Sequence, residues 1–522
     1  MSILNAFHEP DSKYCFAVDE KTVVLRLRVC RGEANGVRVL YGCKYDFALK
    51  RFEAALNKTF TDTLYDWWTV KLTLEDCRLV YVFTIESGGH SRYFSEDGVT
   101  DAYNFDRNYL NAFQLPYINA IDVHRPVKWM ETAVFYQIFI DRFLRGDTEK
   151  NDGYIDLKWG EKPTYKSFAG GDLEGIRQKL DYLSELGVNA LYLTPIFKSK
   201  SNHKYDITDY FNVDPQFGTN AAFKRLVADA HAKNIRVVLD AVFNHCSEDC
   251  EQFQDALKHG EKSRFYDWFL FRGDGAYECF ASCEYMPKLN TSNPEVRDFL
   301  LKIAARWIEE YDIDGWRLDV SDEVSHDFWR SFRKTVKAIK PDCVIIGENW
   351  HDAYPFLRGD QFDGIMNYAF TKACMDFFAD KTINAQAFAE RLSALLMRNT
   401  DTVNAMMLNL LDSHDTHRFL TLLKGDVKAL RAALAVTFLF VGAPSVYYGT
   451  EIDMTGGYDP DCRRCFNWDA ELSETGELIR KLSAVKPRGG IKLSSEDGTF
   501  ILERENVTLS IDGRFGICLK TS

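Results

Sequence analysis

Apolar and polar residues alternate along the first 125 residues, in runs rich in β-branched and aromatic side chains with turn residues between them. Clear examples are TVVLRLRVC (22–30), WTVKLTL (68–74) and RLVYVFTIE (78–86). Alternation with a period of two is typical of a strand with one buried face, and long helical patterns are missing from this stretch. Residues 1–125 are therefore predicted to form an antiparallel β-sandwich of immunoglobulin-like size.

After residue 125 the pattern changes to short apolar runs that alternate with amphipathic helical stretches, such as LEGIRQKLDYLSELG (173–187). This alternation is typical of a parallel α/β domain. The candidate strands are 134–140, 190–197, 236–243, 315–320, 343–350, 364–370, 406–412 and 444–451. Eight strands favour a closed (β/α)8 TIM barrel over an open sheet, so we predict an α/β fold with the barrel at 126–487.

Two segments do not follow the barrel pattern. The connection at 246–293, after the third strand, is rich in Phe, Tyr and Gly and too long for an ordinary loop, so an inserted subdomain is predicted there. Residues 488–522 contain short strand-like runs and are predicted to form a short C-terminal β appendage.

Composition narrows the class of protein. Hydrophobic residues make up 46% of the 522 residues and charged residues 27%, and no apolar run reaches the ~18 residues needed to span a bilayer. A net charge of −13 opposes nucleic acid or an anionic membrane as partner. The opening segment MSILNAFHEPDSKYC has no basic stretch followed by an apolar one, so no secretory leader is expected. Thirteen cysteines without metal-ligand spacing are expected to be reduced thiols of a cytoplasmic protein.

Three acidic residues each close an apolar run that is predicted to be a buried strand: Asp319 in GWRLDV, Glu348 in VIIGENW and Asp415 in NLLDSHD. In a barrel of this kind the carboxyl ends of the strands converge on one mouth, where the chemistry is located. Carboxylates brought together repel one another, so their pKa values must move apart, as separate acid and nucleophile roles require. The trio predicts an enzyme that cleaves or transfers glycosidic bonds.

The neighbours of these acids suggest a division of roles. Arg317 lies two residues before Asp319 on the same strand face, so we expect it to lower the pKa of Asp319 and keep that nucleophile ionised. Apolar surroundings and Trp350 are expected to raise the pKa of Glu348, as a general acid requires. Asp415 is expected to bond sugar hydroxyls and to oppose the positive charge of the transition state. The alternative for each acid taken alone is a strand-end carboxylate that caps a helix or pairs with arginine.

Four segments then make the chain recognisable: DAVFNH (240–245), GWRLDVSDE (315–323), GENW (347–350) and LDSHD (411–415). In this order and spacing they resemble the signature regions of the α-amylase superfamily, glycoside hydrolase family 13. MPKLN (286–290) resembles the additional motif of the neopullulanase, cyclomaltodextrinase and maltogenic amylase subgroup. The resemblance covers nearly the whole chain.

The resemblance implies roles for particular residues: nucleophile for Asp319, acid/base for Glu348 and transition-state stabiliser for Asp415. It also implies a set of residues that bind the donor and acceptor sugars, namely His203, Tyr205, Asp240, His245, Arg317, Trp350, His414, Asp459 and Arg463. The chain departs from the subgroup at Asn349 and Asp322, where EIW and VANE are usual, and both changes are expected to affect acceptor preference or pH optimum.

RGDTEKNDG (145–153), with AGGD (169–172), resembles the structural calcium site of that subgroup, and no organic cofactor is implied. The implied oxygen ligands are Asp147, Asn151, Asp152, Gly170 and Asp172. The pattern departs from the subgroup at Arg145, where a ligand Asn is usual, and by an extra residue before Asn151. An uncoordinated polar loop is the alternative.

The resemblance implies a retaining hydrolase of α-1,4 bonds, with α-1,6 bonds as a further option, in cyclodextrins, pullulan, maltooligosaccharides or starch. Retention predicts that the carboxyl groups of Asp319 and Glu348 lie about 5–5.5 Å apart. The alternatives are a transglycosylase or α-1,6-glucosidase on the same scaffold, and a glycan-binding protein without catalysis. The resemblance also suggests a homodimer formed through the N-terminal domain, for which binding to starch granules is the alternative role.

Overall fold

The computed structural model describes residues 5–273, 275–485, 487 and 489–521. The strands are β1 (Ala6–Phe7), β2 (Cys15–Ala17), β3 (Thr22–Cys30), β4 (Gly36–Gly42), β5 (Phe52–Thr61), β6 (Tyr65–Thr73), β7 (Leu79–Ser87), β8 (His90–Ser95), β9 (Gly98–Thr100), β10 (Phe113–Leu115), β11 (Phe135–Ile138), β12 (Ala190–Leu193), β13 (Phe197–Ser199), β14 (Ile207–Val213), β15 (Arg236–Ala241), β16 (Gly315–Leu318), β17 (Val344–Gly347), β18 (Gly364–Ile365), β19 (Leu408–Leu410), β20 (Ala443–Tyr447), β21 (Lys492–Glu496), β22 (Thr499–Arg504), β23 (Val507–Ile511) and β24 (Ile517–Thr521). The α-helices are α1 (Leu173–Gln178), α2 (Leu180–Glu185), α3 (Asn220–Ala232), α4 (Glu251–His259), α5 (Pro294–Tyr311), α6 (His326–Ile339), α7 (Tyr368–Cys374), α8 (Ala385–Leu396), α9 (Asp401–Ala405), α10 (Phe419–Leu422), α11 (Val427–Leu439) and α12 (Glu474–Val485).

The chain divides into two compact units. The N-terminal unit consists of 1–126, 382–404 and 488–522, and the barrel unit consists of 127–381 and 405–487. The sequence predicted one barrel domain over 126–487, with an inserted subdomain at 246–293. The structure instead groups α8 and the C-terminal strands with the N-terminal sandwich.

The N-terminal unit contains the predicted antiparallel sandwich, in the strand order β1-β3-β6-β5-β4-β7-β8-β9, with β2 on β3 and β10 on β7. Alternate residues of β3 and β7 point into its core, which explains the period of two in their sequences. β21 to β24 form a four-stranded antiparallel sheet, so the predicted C-terminal β appendage is confirmed. Phe388 of α8 packs on Phe500 of β22, with ring centroids 4.9 Å apart.

His8 is a buried titratable group of this sandwich. Its Nδ1 donates to the carbonyl oxygen of Arg26 at 2.8 Å, and its Nε2 accepts from the Tyr81 hydroxyl at 2.7 Å. The rings of Phe83 and Phe113 pack on it edge to face. Burial lowers its pKa from 6.5 to about 4, so His8 is neutral in the folded protein.

We expect His8 to make the N-terminal unit sensitive to acid. The unfolded chain takes up this proton below pH 6.5 and the folded chain only near pH 4, so stability is lost as pH falls across that window. The difference corresponds to roughly 3 kcal/mol of unfolding free energy. Denaturant unfolding at both ends of the window, followed by circular dichroism, would measure it. His8→Gln should lose less stability than the wild type, whereas His90→Gln, at an exposed site, should behave like the wild type; equal losses in all three would contradict the assignment.

The barrel unit contains eight parallel strands in the order β18-β17-β16-β15-β12-β11-β20-β19, and a parallel bridge between Met366 and Leu408 closes the ring. All eight predicted strands are present, which confirms the (β/α)8 barrel. The run GIMNYAF (364–370) differs from its predicted form, because only Gly364 and Ile365 are strand. Asn367 then caps α7 by accepting from the backbone N–H of Phe370.

The inserted subdomain after β15 is also present. It contains α4, and the bridge between His245 and Lys288 connects it to the segment after β15, while the bridge between Phe269 and Leu289 lies within it. The MPKLN motif therefore lies beside the carboxyl end of β15. No helix in the described ranges is long and apolar enough to cross a membrane.

Candidate active site

The carboxyl ends of four barrel strands bring the predicted acids together. Asp240 lies near the end of β15, Asp319 directly follows β16, Glu348 directly follows β17 and Asp415 lies in the loop after β19. Asp240, Asp319 and Glu348 are buried, whereas the Asp415 side chain is 29% exposed. The apolar strands fix these positions, since their alternate residues are locked in the barrel core.

Arg317 joins three of these carboxyl groups. Its Nη1 donates to both oxygens of Asp240 at 3.0 Å and to Asp319 Oδ1 at 2.9 Å, and its Nη2 lies 2.9 Å from Glu348 Oε2. The guanidinium is fully buried, so each charge-assisted contact is only weakly screened by water. One side chain therefore holds the predicted nucleophile and the predicted acid beside each other.

The backbone after the nucleophile contributes a further contact. Val320 has a left-handed conformation, with φ 45° and ψ 44°, which is uncommon for a β-branched residue. In this conformation its N–H donates to Glu348 Oε2 at 3.0 Å. That oxygen is therefore engaged by two groups of the protein.

Burial shifts the pKa values of the acidic cluster upward. The pKa of Asp319 lies well above its ordinary value, because burial outweighs the opposing effect of Arg317 and the other carboxylates add to it. Burial also raises the pKa of Glu348 and of Asp415, and it raises that of Asp240 to about 6. Arg317 lowers the pKa of Asp319, as expected, but it does not keep that pKa low, because burial and the neighbouring carboxylates have the larger effect.

Three predicted histidines surround the cluster as neutral rings. Burial lowers the pKa of His203 and of His245 to about 3, and it places that of His414 well below its ordinary value. Gln137 Nε2 donates to His414 Nδ1 at 2.6 Å, so the ring proton is on Nε2. That nitrogen lies 3.1 Å from Asp415 Oδ2, which makes it a neutral donor beside the acid.

The predicted donor-side residues form one connected group. The Tyr205 hydroxyl donates to Asp240 Oδ2 at 2.9 Å and lies 2.6 Å from His414 Nε2. Arg463 pairs with Asp459 at 3.0 Å and with Asp415 at 3.4 Å. These contacts place a flat aromatic face and several polar groups on the same side of the three acids, as a sugar ring requires.

Trp350 lies apart from that group, on the side of Glu348. Its ring is 53% exposed and stacks on Tyr368, with centroids 3.7 Å apart and ring planes 9° apart. A rigid, exposed aromatic face of this kind suits a sugar on the acceptor side. Sequence reasoning missed Tyr368 because that position was assigned to a strand.

The departures from the subgroup lie near this side of the site. Asn349 is buried, and its Oδ1 accepts from the Ser321 hydroxyl at 3.0 Å. Asp322 pairs with His351 at 3.0 Å, and both side chains are partly exposed at the edge of the site. The extra negative charge of Asp322 therefore has His351 as its partner. The backbone carbonyl of Asp352 and the carboxylate of Asp322 together raise the pKa of His351.

The acids open into a cavity of about 470 Å³. The predicted residues in its wall are His203, Tyr205, His245, Asp319, Glu348, Trp350, Asp415, Asp459 and Arg463. Asp240, Arg317 and His414 lie behind that wall and support it. Residues that were not foreseen complete the wall, namely Phe280, Cys283, Tyr285, Met286, Val320, Asp322, Glu323 and Tyr458. Four of these come from the inserted subdomain, whose richness in aromatic residues was the available signal.

The five predicted calcium ligands do not converge. Asp172 and Gly170 face the same point, but Asn151 and Asp152 are exposed, and Asp152 pairs with Arg145 at 3.2 Å. No group of three or more His, Cys, Asp or Glu side chains within the described ranges is arranged to hold a metal ion. Since calcium requires six to eight oxygen ligands, the residues present here do not fit it.

Comparison with known proteins gives consistent matches. Residues 137–477 match the alpha amylase catalytic domain, and residues 1–119 match the alpha amylase N-terminal ig-like domain. The chain is 46% identical to the cyclomaltodextrinase of Thermoanaerobacter pseudethanolicus, over 92% of this chain and 85% of that one. It is 43% identical to the intracellular maltogenic amylase of Bacillus subtilis, over 92% and 83%. A solved cyclomaltodextrinase structure superposes with a TM-score of 0.91 at 39% identity, over 97% and 90% of the two chains.

Proposed function

The chain belongs to the alpha-amylase family of glycoside hydrolases, in the subgroup of cyclomaltodextrinases, maltogenic amylases and neopullulanases, and we propose that it hydrolyses α-1,4-glucosidic bonds of cyclodextrins and short α-glucans with retention of configuration. The sugar would bind in the cavity with its scissile bond between the side of Tyr205 and the side of Trp350. This assignment of the two sides follows from the aromatic faces described above.

In the first step, Asp319 would attack the anomeric carbon while Glu348 gives its proton to the leaving glycosidic oxygen. The C–O bond to the acceptor sugar breaks as the bond to Asp319 forms, so the product leaves with its new hydroxyl. Asp319 Oδ2 suits this attack, because it has no hydrogen-bond partner among the described residues while Oδ1 is held by Arg317. Burial raises the pKa of Glu348, which favours the protonated form that the first step requires.

In the second step, water would attack the same carbon as its bond to Asp319 breaks, and Glu348, now ionised, would accept the proton of that water. In the transition state of each step the sugar has oxocarbenium character, which the carboxylate of Asp415 would stabilise. Neutral His245, whose Nε2 has no hydrogen-bond partner among the described residues, would donate to a sugar hydroxyl without adding positive charge, and neutral His414 would support Asp415 from behind the wall.

The observation that carries this proposal is the contact of one guanidinium with both Asp319 and Glu348. Retention requires the two carboxyl groups to lie about 5–5.5 Å apart. Proton NMR of the first products from maltotriose would test it, since a retaining enzyme releases the α-anomer first. Release of the β-anomer would contradict the mechanism. The relative rates on γ-cyclodextrin, pullulan, maltotriose and soluble starch would define the preferred substrate, including any cleavage of α-1,6 bonds.

Transfer to a second sugar is the other candidate activity. The exposed, rigid face of Trp350 favours it, because an acceptor sugar stacked there lies beside Glu348 in place of water. Products longer than the substrate, measured at high maltotriose concentration, would support transfer.

We also propose that the protein is a cytoplasmic homodimer. All thirteen cysteines lie in the described part of the chain and each is a free thiol, as in a reducing compartment, and the Bacillus subtilis relative is named as intracellular.

Leu49 and Ile121 of the N-terminal unit are more than 90% exposed, which suits an interface. Sedimentation of the full-length protein should give twice the chain mass, and Leu49→Asp combined with Ile121→Asp should shift it toward the monomer. A wild-type monomer at micromolar concentration would contradict the dimer.

A further inference from the structure

Lys150 lies at the point where the calcium of the related enzymes was expected. Its side chain is only 7% exposed. The ammonium Nζ lies 2.6 Å from the carbonyl oxygen of Gly170, 2.7 Å from Asp172 Oδ2 and 3.0 Å from the carbonyl oxygen of Gln216. An ammonium has three donors, and three acceptors surround it, so its hydrogen-bonding capacity is filled.

The oxygens of Asp172 are fully used by the protein. Oδ1 accepts from the backbone N–H groups of Gly146 and Gly175, at 3.0 and 2.8 Å. Oδ2 accepts from the N–H of Asp147 at 3.1 Å as well as from Lys150. The carboxylate that the sequence suggested as a metal ligand therefore caps α1 and pairs with a lysine instead.

The charges at this point also favour an ammonium over a divalent ion. Asp172 is the carboxylate in contact with Lys150, and its side chain is 2% exposed, so one positive charge balances one negative charge. A Ca²⁺ ion at the same point would leave an uncompensated charge in a buried place, which is costly. It would also have to displace Lys150, whose contacts occupy the converging oxygens.

We propose that Lys150 is a covalently attached replacement for calcium in this loop, and that the protein folds and functions without that metal. The lysine ties three separate segments together: its own loop, the turn before α1 and the loop after β14 that contains Gln216. Unlike a bound ion, this cation cannot dissociate on dilution or be removed by a chelator.

The contact with Gln216 links this site to the active site. The side-chain oxygen of Gln216 accepts from Lys204, a buried lysine whose neighbours in the chain are His203 and Tyr205. Lys204 also pairs with Asp214 at 3.0 Å. Loss of the Lys150 ammonium is therefore expected to loosen the loop that supports the donor side of the cavity.

The test uses full-length protein treated with EDTA and then divided into samples with and without added CaCl2. For the wild type we expect no bound calcium by atomic emission, and the same thermal midpoint and the same kcat on γ-cyclodextrin in both samples. A midpoint that rises by several degrees with calcium, or stoichiometric bound calcium, would overturn the proposal.

Lys150→Met removes the charge and keeps the length of the side chain, and we expect it to lower the thermal midpoint by about 5 °C or more. Lys158→Met, at an exposed position of the same loop region, is the matched control and should keep the wild-type midpoint. Equal midpoints for the two variants would show that Lys150 has no such role and would overturn the proposal. If Lys150→Met does not fold, the chelation experiment on the wild type decides alone.

Discussion

Replacement of Glu348 by glutamine is expected to lower kcat on γ-cyclodextrin by about 10⁴-fold while the dissociation constant of the sugar changes little. Glutamine has the same shape and keeps an oxygen for the N–H of Val320, which donates to Glu348 at 3.0 Å in the wild type. It has no proton to give to the leaving oxygen. Initial rates and isothermal titration with γ-cyclodextrin would separate the loss of chemistry from binding.

A substrate whose leaving group needs no proton provides a sharper test of the same variant. α-Maltosyl fluoride releases fluoride without protonation, so the burst of fluoride in the first turnover of Glu348→Gln should be slowed far less than the cleavage of γ-cyclodextrin. The second step, in which Glu348 accepts the proton of water, should stay slow with both substrates. Because burial raises the pKa of Glu348, the wild type should lose its acid as pH rises, and this alkaline limb should be absent from the variant with the fluoride. Glu323→Gln is the matched control, since Glu323 also lines the cavity but pairs with Lys288 at 2.8 Å. Full activity of Glu348→Gln on γ-cyclodextrin would show that Glu348 is not the general acid.

The parts of the fold that could be predicted from sequence are those where one local pattern decides the structure. The eight barrel strands are short, mostly apolar runs because they are buried on both faces. In β15, β16 and β17 nearly every residue is buried. The three acids could be located because Asp319 and Glu348 directly follow such runs and Asp415 lies a few residues after another. Their convergence then followed from the geometry of the barrel.

Features that depend on competition between distant groups could not be predicted. Lys150 lies beside Asn151 and Asp152 in a polar loop, and nothing local shows that the lysine points inward while the better metal ligands point to solvent. The pKa of Asp319 depends first on its burial and then on the balance between Arg317 and the neighbouring carboxylates, which the spacing of Arg317 and Asp319 does not reveal. The grouping of α8 with the N-terminal unit likewise rests on contacts between segments far apart in the chain, such as Arg31 with Glu390 at 2.8 Å.

Replacement of Asp319 is expected to have the other largest effect, a loss of kcat of roughly 10⁴–10⁶-fold for Asp319→Asn, because no covalent glycosyl-enzyme can then form. Asp319→Gly leaves room at the same place for an external anion. With α-maltosyl fluoride and sodium azide it should therefore form β-maltosyl azide, since azide attacks from the face that Asp319 occupied and fluoride leaves from the other. Proton NMR of the product would identify the anomer. Formation of the α-azide by Asp319→Gly, or of the β-azide by Glu348→Gln, whose intact Asp319 should direct azide to the α-face, would contradict the assignment of Asp319 as nucleophile.

The same substitution should separate catalysis from stability. A carboxyl whose pKa is raised on folding contributes stability below its unfolded value, near 3.8 for Asp319, and that contribution is lost as pH rises through the folded value. The wild type therefore carries the full cost of ionising this buried group at alkaline pH. Asparagine does not titrate and relieves repulsion from Glu348 and Asp240. Asp319→Asn should thus be at least as stable as the wild type near neutral pH, with an advantage in thermal midpoint that grows as pH increases. A variant that is less stable at every pH would show that the bond from Arg317 to Asp319 outweighs the burial of the charge.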